Sequence, residues 1–169
     1  MLIRDADDSD WDAIWPFFRQ VVQAEETYAF DPAMSYDEGQ TIWMERPPGR
    51  TAVAVDDDGT VLGSSKMGPN RPGPGAHIGT ASFMVDPDTR GRGVGRLLAE
   101  DMVRWHRDRG FHGIQFNAVV ETNTAALRLW QDLGFAIVGT VPDAFRHPTE
   151  GLVALHVMYL PLTPGDSPA

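Results

Sequence analysis

The feature that most constrains this chain lies between residues 83 and 98. There Phe83-Met84-Val85 passes through Asp86-Pro87-Asp88-Thr89 into Arg90-Gly91-Arg92-Gly93-Val94-Gly95-Arg96 and on to Leu97-Leu98. An apolar strand feeds a turn, the turn feeds a glycine-rich loop, and the loop opens an amphipathic helix. Glycines let the backbone come close to a ligand and adopt positive φ. The first turn of a helix carries N–H groups with no intrahelical partner, and the helix dipole adds to their pull on an anion. Flanking arginines add charge-assisted bonds. A diphosphate is the natural occupant of such a helix mouth. A P-loop is excluded because this loop holds no lysine. The dinucleotide pattern G-x-G-x-x-G, begun at Gly91 and Gly93, fails at Arg96.

The charge distribution points the same way. The chain has a net charge of −10, which argues against binding DNA or RNA. Yet Arg90, Arg92, Arg96, Arg104, Arg107 and Arg109 all fall in one short stretch of an acidic chain with only 14 basic residues. A solvated helix face or a small polyanionic ligand would both account for that. With 169 residues and 42% hydrophobic content, the chain fits one domain with a real core. No apolar run is long enough for a membrane span, and the acidic N-terminus does not read as a signal peptide. Cysteine is absent, which excludes a disulfide scaffold, a thiolate metal site and a cysteine nucleophile. These features fit a cytoplasmic protein. His77, His106, His112 and His147 show no metal-ligand spacing with carboxylates and His156 reads as a lone strand histidine, so no metal is expected.

Periodicity predicts strands at 2–4, 51–55, 61–67, 78–85, 114–120, 135–141 and 152–160. Helices are expected at 10–24, 35–46, 93–109 and 124–133. Asp56-Asp57-Asp58-Gly59 marks a hairpin, and residues 68–75, rich in proline and glycine, read as an irregular loop. The expected fold class is α/β (α+β): one mixed, largely antiparallel twisted sheet of six to seven strands with about four helices packed on it. A single domain is expected over residues 1–160, with a flexible tail at 161–169.

Arg90, Gly93 and Gly95 fill the pattern Arg/Gln-x-x-Gly-x-Gly/Ala, and Asn123, Ala126, Leu129, Trp130, Gly134 and Phe135 follow at the spacing N-x-x-A-x-x-L-Y-x-x-x-G-F. In this order, with one strand between them, the two stretches resemble the acetyl-CoA-dependent N-acetyltransferase (GNAT) superfamily. The resemblance implies a GNAT-like acyl-CoA N-acyltransferase fold and acetyl-CoA as cofactor. It implies that backbone amides from Arg90 through Gly91, Arg92, Gly93, Val94 and Gly95 to Arg96 meet the pyrophosphate. It further implies that backbone groups of Phe83, Met84 and Val85 pair with the pantetheine arm, that one of their amides, taken as that of Met84, polarises the thioester carbonyl, and that Asn123, Ala126 and Trp130 complete the cofactor wall. Trp130 stands where the family has the tyrosine that protonates the leaving thiolate, so a general acid is unassigned; Trp130 also fits the helix's apolar face. A thiol pKa of about 8.5 lets thiolate leave without full protonation.

The acceptor side is less constrained. Thr80, Ser82 and Met84 share one face of their strand, as Gln115, Asn117 and Val119 share one of theirs. Asn117 is polar in an apolar strand and reads either as a satisfied strand amide or as a catalytic group at the acetyl or amine. Glu26 reads either as a solvated acid or as a catalytic-site carboxylate that draws in an ammonium. Tyr28, Asn70 and Arg71 complete the candidate substrate-binding set, with Arg71 placed to meet a substrate carboxylate. The stretches 26–30, 67–72, 116–123 and 155–159 are similar to fungal acetyltransferases for azetidine-2-carboxylate and other proline analogues. That implies a small cyclic or secondary amino acid as acceptor, with Asn117 at the active site; the superfamily resemblance implies that the neutral amine attacks the thioester directly in a ternary complex. Two other activities stay open: a protein or peptide N-acetyltransferase, and a non-catalytic acyl-CoA sensor. A homodimer is common among relatives.

Overall fold

The computed structural model describes residues 1–162. Its elements run β1 (Leu2–Asp5), α1 (Trp11–Gln23), α2 (Tyr36–Trp43), β2 (Arg50–Val55), β3 (Val61–Pro69), β4 (Ile78–Val85), α3 (Val94–Asp108), β5 (Gly113–Val120), α4 (Thr124–Asp132), β6 (Ala136–His147) and β7 (Gly151–Pro161). Seven strands form one sheet in the order β1-β2-β3-β4-β5-β7-β6. All neighbours are antiparallel except β4 and β5. No helix is long and apolar enough to cross a membrane.

The helices cover the two faces. Trp11, Ile14, Phe17, Phe18 and Trp43 of α1 and α2 bury with Val53, Val55 and Met84 of the sheet. A side chain such as Phe18, fully buried, contributes about 1.5–3 kcal/mol relative to an exposed one. On the other face Ala99, Met102 and Val103 of α3 and Trp130 of α4 pack on Ala52, Ile114, Phe116 and Met158. Ser35 caps α2 reciprocally with Glu38, and Asp7 caps a short 3-10 turn ahead of α1.

Several expectations shift. The second helix is shorter than 35–46 and ends at Trp43. The expected loop at 68–75 begins two residues late, because Gly68 and Pro69 extend β3 opposite Thr80 and Gly79. The strand expected to end at Val141 continues to His147 across a bulge at 141–145. The sheet order, which the sequence left open, places β7 between β5 and β6, so the connection through α4 crosses to the far edge of the sheet. The end of the chain also differs, since Pro161 lies in β7 and Leu162 is buried, its amide donating to the His112 carbonyl. The remainder of the expected tail, 163–169, lies outside the described residues.

One junction positions the site. β4 and β5 pair only at Ile78–Gly113 and Gly79–Ile114, then separate. Between Phe116 and Val119 β5 carries one residue more than the facing stretch of β7, Met158 to His156. Such a bulge bends a strand and breaks its alternation. Val119 therefore packs in the cluster that holds Phe116 and Trp130, not on the face of Asn117 where strict alternation puts it. The result is a sheet split down its middle, with the edge of β4 open from Thr80 onward.

Candidate active site

Residues along the open edge alternate in direction. The hydroxyl of Tyr28 donates to the Phe83 carbonyl at 2.7 Å and accepts from the Phe83 amide at 2.9 Å, so both groups point into the split. Asp86 donates instead to Leu62 of β3, at 2.9 Å. By alternation Ala81, Phe83 and Val85 face the split while Ser82 and Met84 turn their backbones to β3. This corrects the place given to Met84. Its amide faces β3 and its side chain is buried under α1, so an amide aimed into the cleft comes from Phe83 or Val85.

A cleft of about 1020 Å³ follows the split, walled by α1, the loop around Glu26–Phe30, β4, β5 and α4. At one end lies the glycine loop. Gly91 and Gly93 both take φ of 80°, and the first helical bond of α3 runs from the Leu97 amide to the Gly93 carbonyl at 3.1 Å. The amides of Val94, Gly95 and Arg96 thus open the helix without a backbone acceptor among the described residues. A Cβ on Gly95 would meet only Val85 and Leu129, at 3.8 and 3.9 Å, which is ordinary contact. Packing within the chain does not require glycine there, and its bare backbone leaves room for the close approach of a ligand.

The loop's arginines divide. Arg92 is held by Asp56 at 2.5 Å and Arg96 by Asp132 at 2.7 Å. Arg90 has no side-chain partner among the described residues and lines the cleft, leaving it as the loop's available cation. The Val94 side chain is buried with Leu62 and Leu98, so only its backbone can serve a ligand. Asn123 accepts from the Ala126 amide at 3.2 Å, capping α4, and Asn123 and Ala126 line the cleft. Trp130 is almost fully buried, its ring 4.8 Å from Phe83 and 4.7 Å from Phe116. It is a core side chain that walls the cleft. An indole N–H supplies no proton at neutral pH, so the protonating tyrosine of the family has no equivalent at this position.

At the other end, Thr80, Ala81 and Ser82 are shared with a second cavity of about 510 Å³. Asn70 and Arg71 line it with Lys66 and Glu45. The Lys66 ammonium donates to the Ile42 carbonyl at 2.7 Å and to Glu45 at 3.3 Å. Arg71 is exposed and touches only the Asn70 carbonyl, at 3.4 Å. Asn117, which lines the larger cleft, bonds reciprocally to Asn70, at 2.7 and 3.3 Å, and accepts from Gln115 at 2.8 Å. Glu26 is exposed on the wall of the larger cleft, away from the second cavity. Tyr28, placed by sequence at the substrate, spends its hydroxyl on Phe83. Burial pushes its pKa up to about 12, partly offset by the Phe83 and Ser82 hydrogen bonds, so it is neutral at pH 7. Among the described residues no group of His, Asp or Glu side chains is placed to hold a metal ion.

Lys66, Glu45 and His147 line these cavities although the sequence did not single them out, and Gln115, named only for sharing a face with Asn117, bonds to it. Lys66 is the chain's only lysine, which is a signal, but nothing local ties it to Arg71. His147 reaches the cleft only because β6 runs six residues past its expected end.

An acetyltransferase (GNAT) family model matches residues 12–135, nearly three-quarters of the chain, spanning the glycine loop, the split and α4. The chain belongs to the GNAT family. A GCN5-related N-acetyltransferase from Kribbella flavida superposes with a TM-score of 0.93 at 61% identity, covering 95% of this chain and 97% of that one. The Salmonella typhimurium protein yncA, solved with its cofactor acetyl-CoA, superposes at 0.81 with 25% identity over 100% of this chain and 98% of its own. The L-amino acid N-acyltransferase MnaT of Escherichia coli K12 is 29% identical over 146 residues, 85% of this chain and 84% of that protein. This GNAT chain is an acetyl-CoA-dependent N-acetyltransferase. The residues present fit that cofactor: the bare amides of the helix mouth and Arg90 could hold a diphosphate, Gly95 would leave room for it, and an open strand edge continues the cleft.

Proposed function

We propose that this GNAT enzyme acetylates the amine of a small amino acid, of which a proline analogue is one candidate, in the cytoplasm. One observation carries the reading. The cofactor cleft meets a second cavity at Thr80–Ser82, and that cavity holds an uncommitted arginine and the chain's only lysine, as the carboxylate of an amino acid requires. The relative named as an L-amino acid N-acyltransferase supports the same class.

In this reading Arg90 and the amides of Gly91 through Arg96 hold the diphosphate, the edge at Phe83 and Val85 holds the pantetheine arm, and Asn123 donates to it from its free amide nitrogen. Bound acetyl-CoA supplies the acetyl group as a thioester. Arg71 and Lys66 orient the acceptor's carboxylate so that its amine points toward Ser82 and Asn117. An alkyl ammonium with pKa of about 10 must lose a proton, which costs about 4 kcal/mol at pH 7. Asn117, Thr80 and Ser82 carry no charge and serve by holding a water that takes this proton; Glu26 at the cleft wall attracts the cation. A second copy would cover Ile137, Val138, Val141 and Leu152, which are exposed on the outer strands.

The test is thiol release from acetyl-CoA against amino acids, proline analogues, simple amines and basic peptides. Turnover confined to carboxylate-bearing small amines supports the proposal. Peptide acetylation alone would favour a protein acetyltransferase, and cofactor binding with no acceptor turned over would favour a sensor.

A further inference from the structure

The pair of hydrogen bonds between Tyr28 and Phe83 is of an unusual kind. A residue on a strand edge presents its N–H and C=O to one side, where a neighbouring strand normally satisfies both. Here one phenolic hydroxyl does so, at 2.9 and 2.7 Å, at the point where β5 has left β4. Tyr28 reaches across the face of α1 and α2 from residues 24–35, which form no helix or strand. Its ring stacks on Phe30 at 5.2 Å and meets Trp43 edge-on at 6.3 Å. The same segment begins with Glu25 at φ of 55°, a left-handed conformation that non-glycine residues rarely adopt. A single aromatic hydroxyl, carried on a loop, therefore closes the edge of β4 in the middle of the cleft.

That edge is also what a ligand with amide groups would use if laid along the split. Phe83 sits between Ala81 and Val85 among the residues whose backbones face it. The Phe83 amide cannot serve Tyr28 and a ligand fully at once, because each good N–H bond needs an acceptor along its axis. Resting on the GNAT reading of the cleft, we propose that Tyr28 is an exchange latch: its hydroxyl satisfies Phe83 while the cofactor arm is absent and yields both backbone groups when the arm binds. The latch keeps β5 from zipping onto β4 and spares the cofactor-free chain two unsatisfied backbone groups at the cleft wall. It also sets a specificity in the cofactor. Only a ligand that brings its own donor and acceptor to Phe83 can replace the hydroxyl without loss, which favours an amide-bearing arm over an arm of the same length without amides, while a bare nucleotide diphosphate leaves the latch closed.

The latch predicts an effect opposite to that of an ordinary binding residue. In Tyr28→Phe the competitor is gone, so calorimetry should show CoA binding on the order of tenfold more tightly, the size of one or two net hydrogen bonds. Affinity for adenosine 3′,5′-bisphosphate, which has phosphates but no pantetheine arm, should be unchanged. The thermal midpoint without ligand should fall, and the further rise on adding CoA should be larger than for the unsubstituted chain. CoA affinity that is unchanged or weaker in Tyr28→Phe, with wild-type binding intact, overturns the latch and leaves the GNAT reading standing. Failure of the wild-type chain to bind either ligand overturns both. Should Tyr28→Phe not fold, nuclear magnetic resonance of the wild-type chain decides. The Phe83 amide and the Tyr28 ring should both shift with CoA and stay unmoved with adenosine 3′,5′-bisphosphate. A Tyr28 ring that does not shift when CoA binds overturns the proposal.

Discussion

Asn70 and Asn117 grip each other across the mouth of the split sheet, each side-chain amide donating to the other's oxygen at 3.3 and 2.7 Å. Asn70 stands at the end of β3 on the proline-rich loop, and Asn117 stands at the bulge of β5. With Gln115 also donating to Asn117, the oxygen of Asn117 takes two bonds while its nitrogen keeps one hydrogen free. Asn117 thereby keeps a donor hydrogen, which in the proposed function would serve an oxygen of the acetyl group or of the acceptor.

Asn117→Ala should lower kcat/KM by about 10- to 100-fold, the cost of one or two lost hydrogen bonds in the reacting complex, while CoA affinity holds. Asn70→Ala should reproduce part of that loss by freeing the Asn117 amide. Steady-state thiol release and calorimetry on both variants check this. Equal turnover for Asn117→Ala and the parent would return Asn117 to a purely structural place.

The loop arginines should separate by their partners. Arg90→Ala is expected to weaken CoA by about 10- to 100-fold, as for one charge-assisted bond, whereas Arg92→Ala and Arg96→Ala, each already paired with a carboxylate, should cost far less. Gly93→Asp should abolish CoA binding, since it adds a carboxylate among the phosphate-facing amides at a φ of 80° that L residues resist. Titration calorimetry of the four variants distinguishes these outcomes.

Arg71→Ala should raise KM by about two- to fivefold for acceptors that carry a carboxylate, the modest value of an exposed charge pair. Amines without a carboxylate should be unaffected. Equal effects on both classes would remove Arg71 from carboxylate recognition.

His106 makes stability depend on pH. Its ring is fully buried between α3 and the start of β4; Nδ1 donates to the Met102 carbonyl at 2.8 Å and Nε2 has no hydrogen-bond partner among the described residues. Burial lowers its pKa to about 4, against an ordinary 6.5, with nearby carbonyls only partly opposing the shift. Because the folded value lies below the unfolded one, acid protonates the unfolded chain first. The stability due to the neutral ring is complete above pH 6.5 and is lost as pH falls toward 4, by about 3 kcal/mol in all. Urea unfolding between pH 7 and 4 should show a steeper loss for the parent chain than for His106→Leu. Parallel pH dependence in the two would mean that His106 titrates normally.

The glycine loop and the helix motif around Asn123 were legible because each is a local device. An anion site at a helix mouth needs only contiguous glycines, bare amides and a strand to aim them, and contiguity is what a sequence displays. The seven strands and four helices were legible for the same reason, through spacing and caps. Met84 misled because the resemblance implies a run of three backbone groups without saying which of them faces the cleft; that depends on the pairing of β4 with β3. Val119 misled because one extra residue in β5 inverts the alternation, and a bulge is defined only against its partner strand.

The sequence by itself determined the family, the fold class and the identity of the cofactor, since these rest on short-range patterns that survive without knowledge of the partners. Only the tertiary structure decided that, among the described residues, Arg90 is the one of the three loop arginines without a carboxylate partner, that Tyr28 serves Phe83, and that Asn70 meets Asn117 from 47 residues away. Each of these is a competition among groups brought together by folding, and its outcome is fixed by which donor and acceptor lie within about 3 Å of each other.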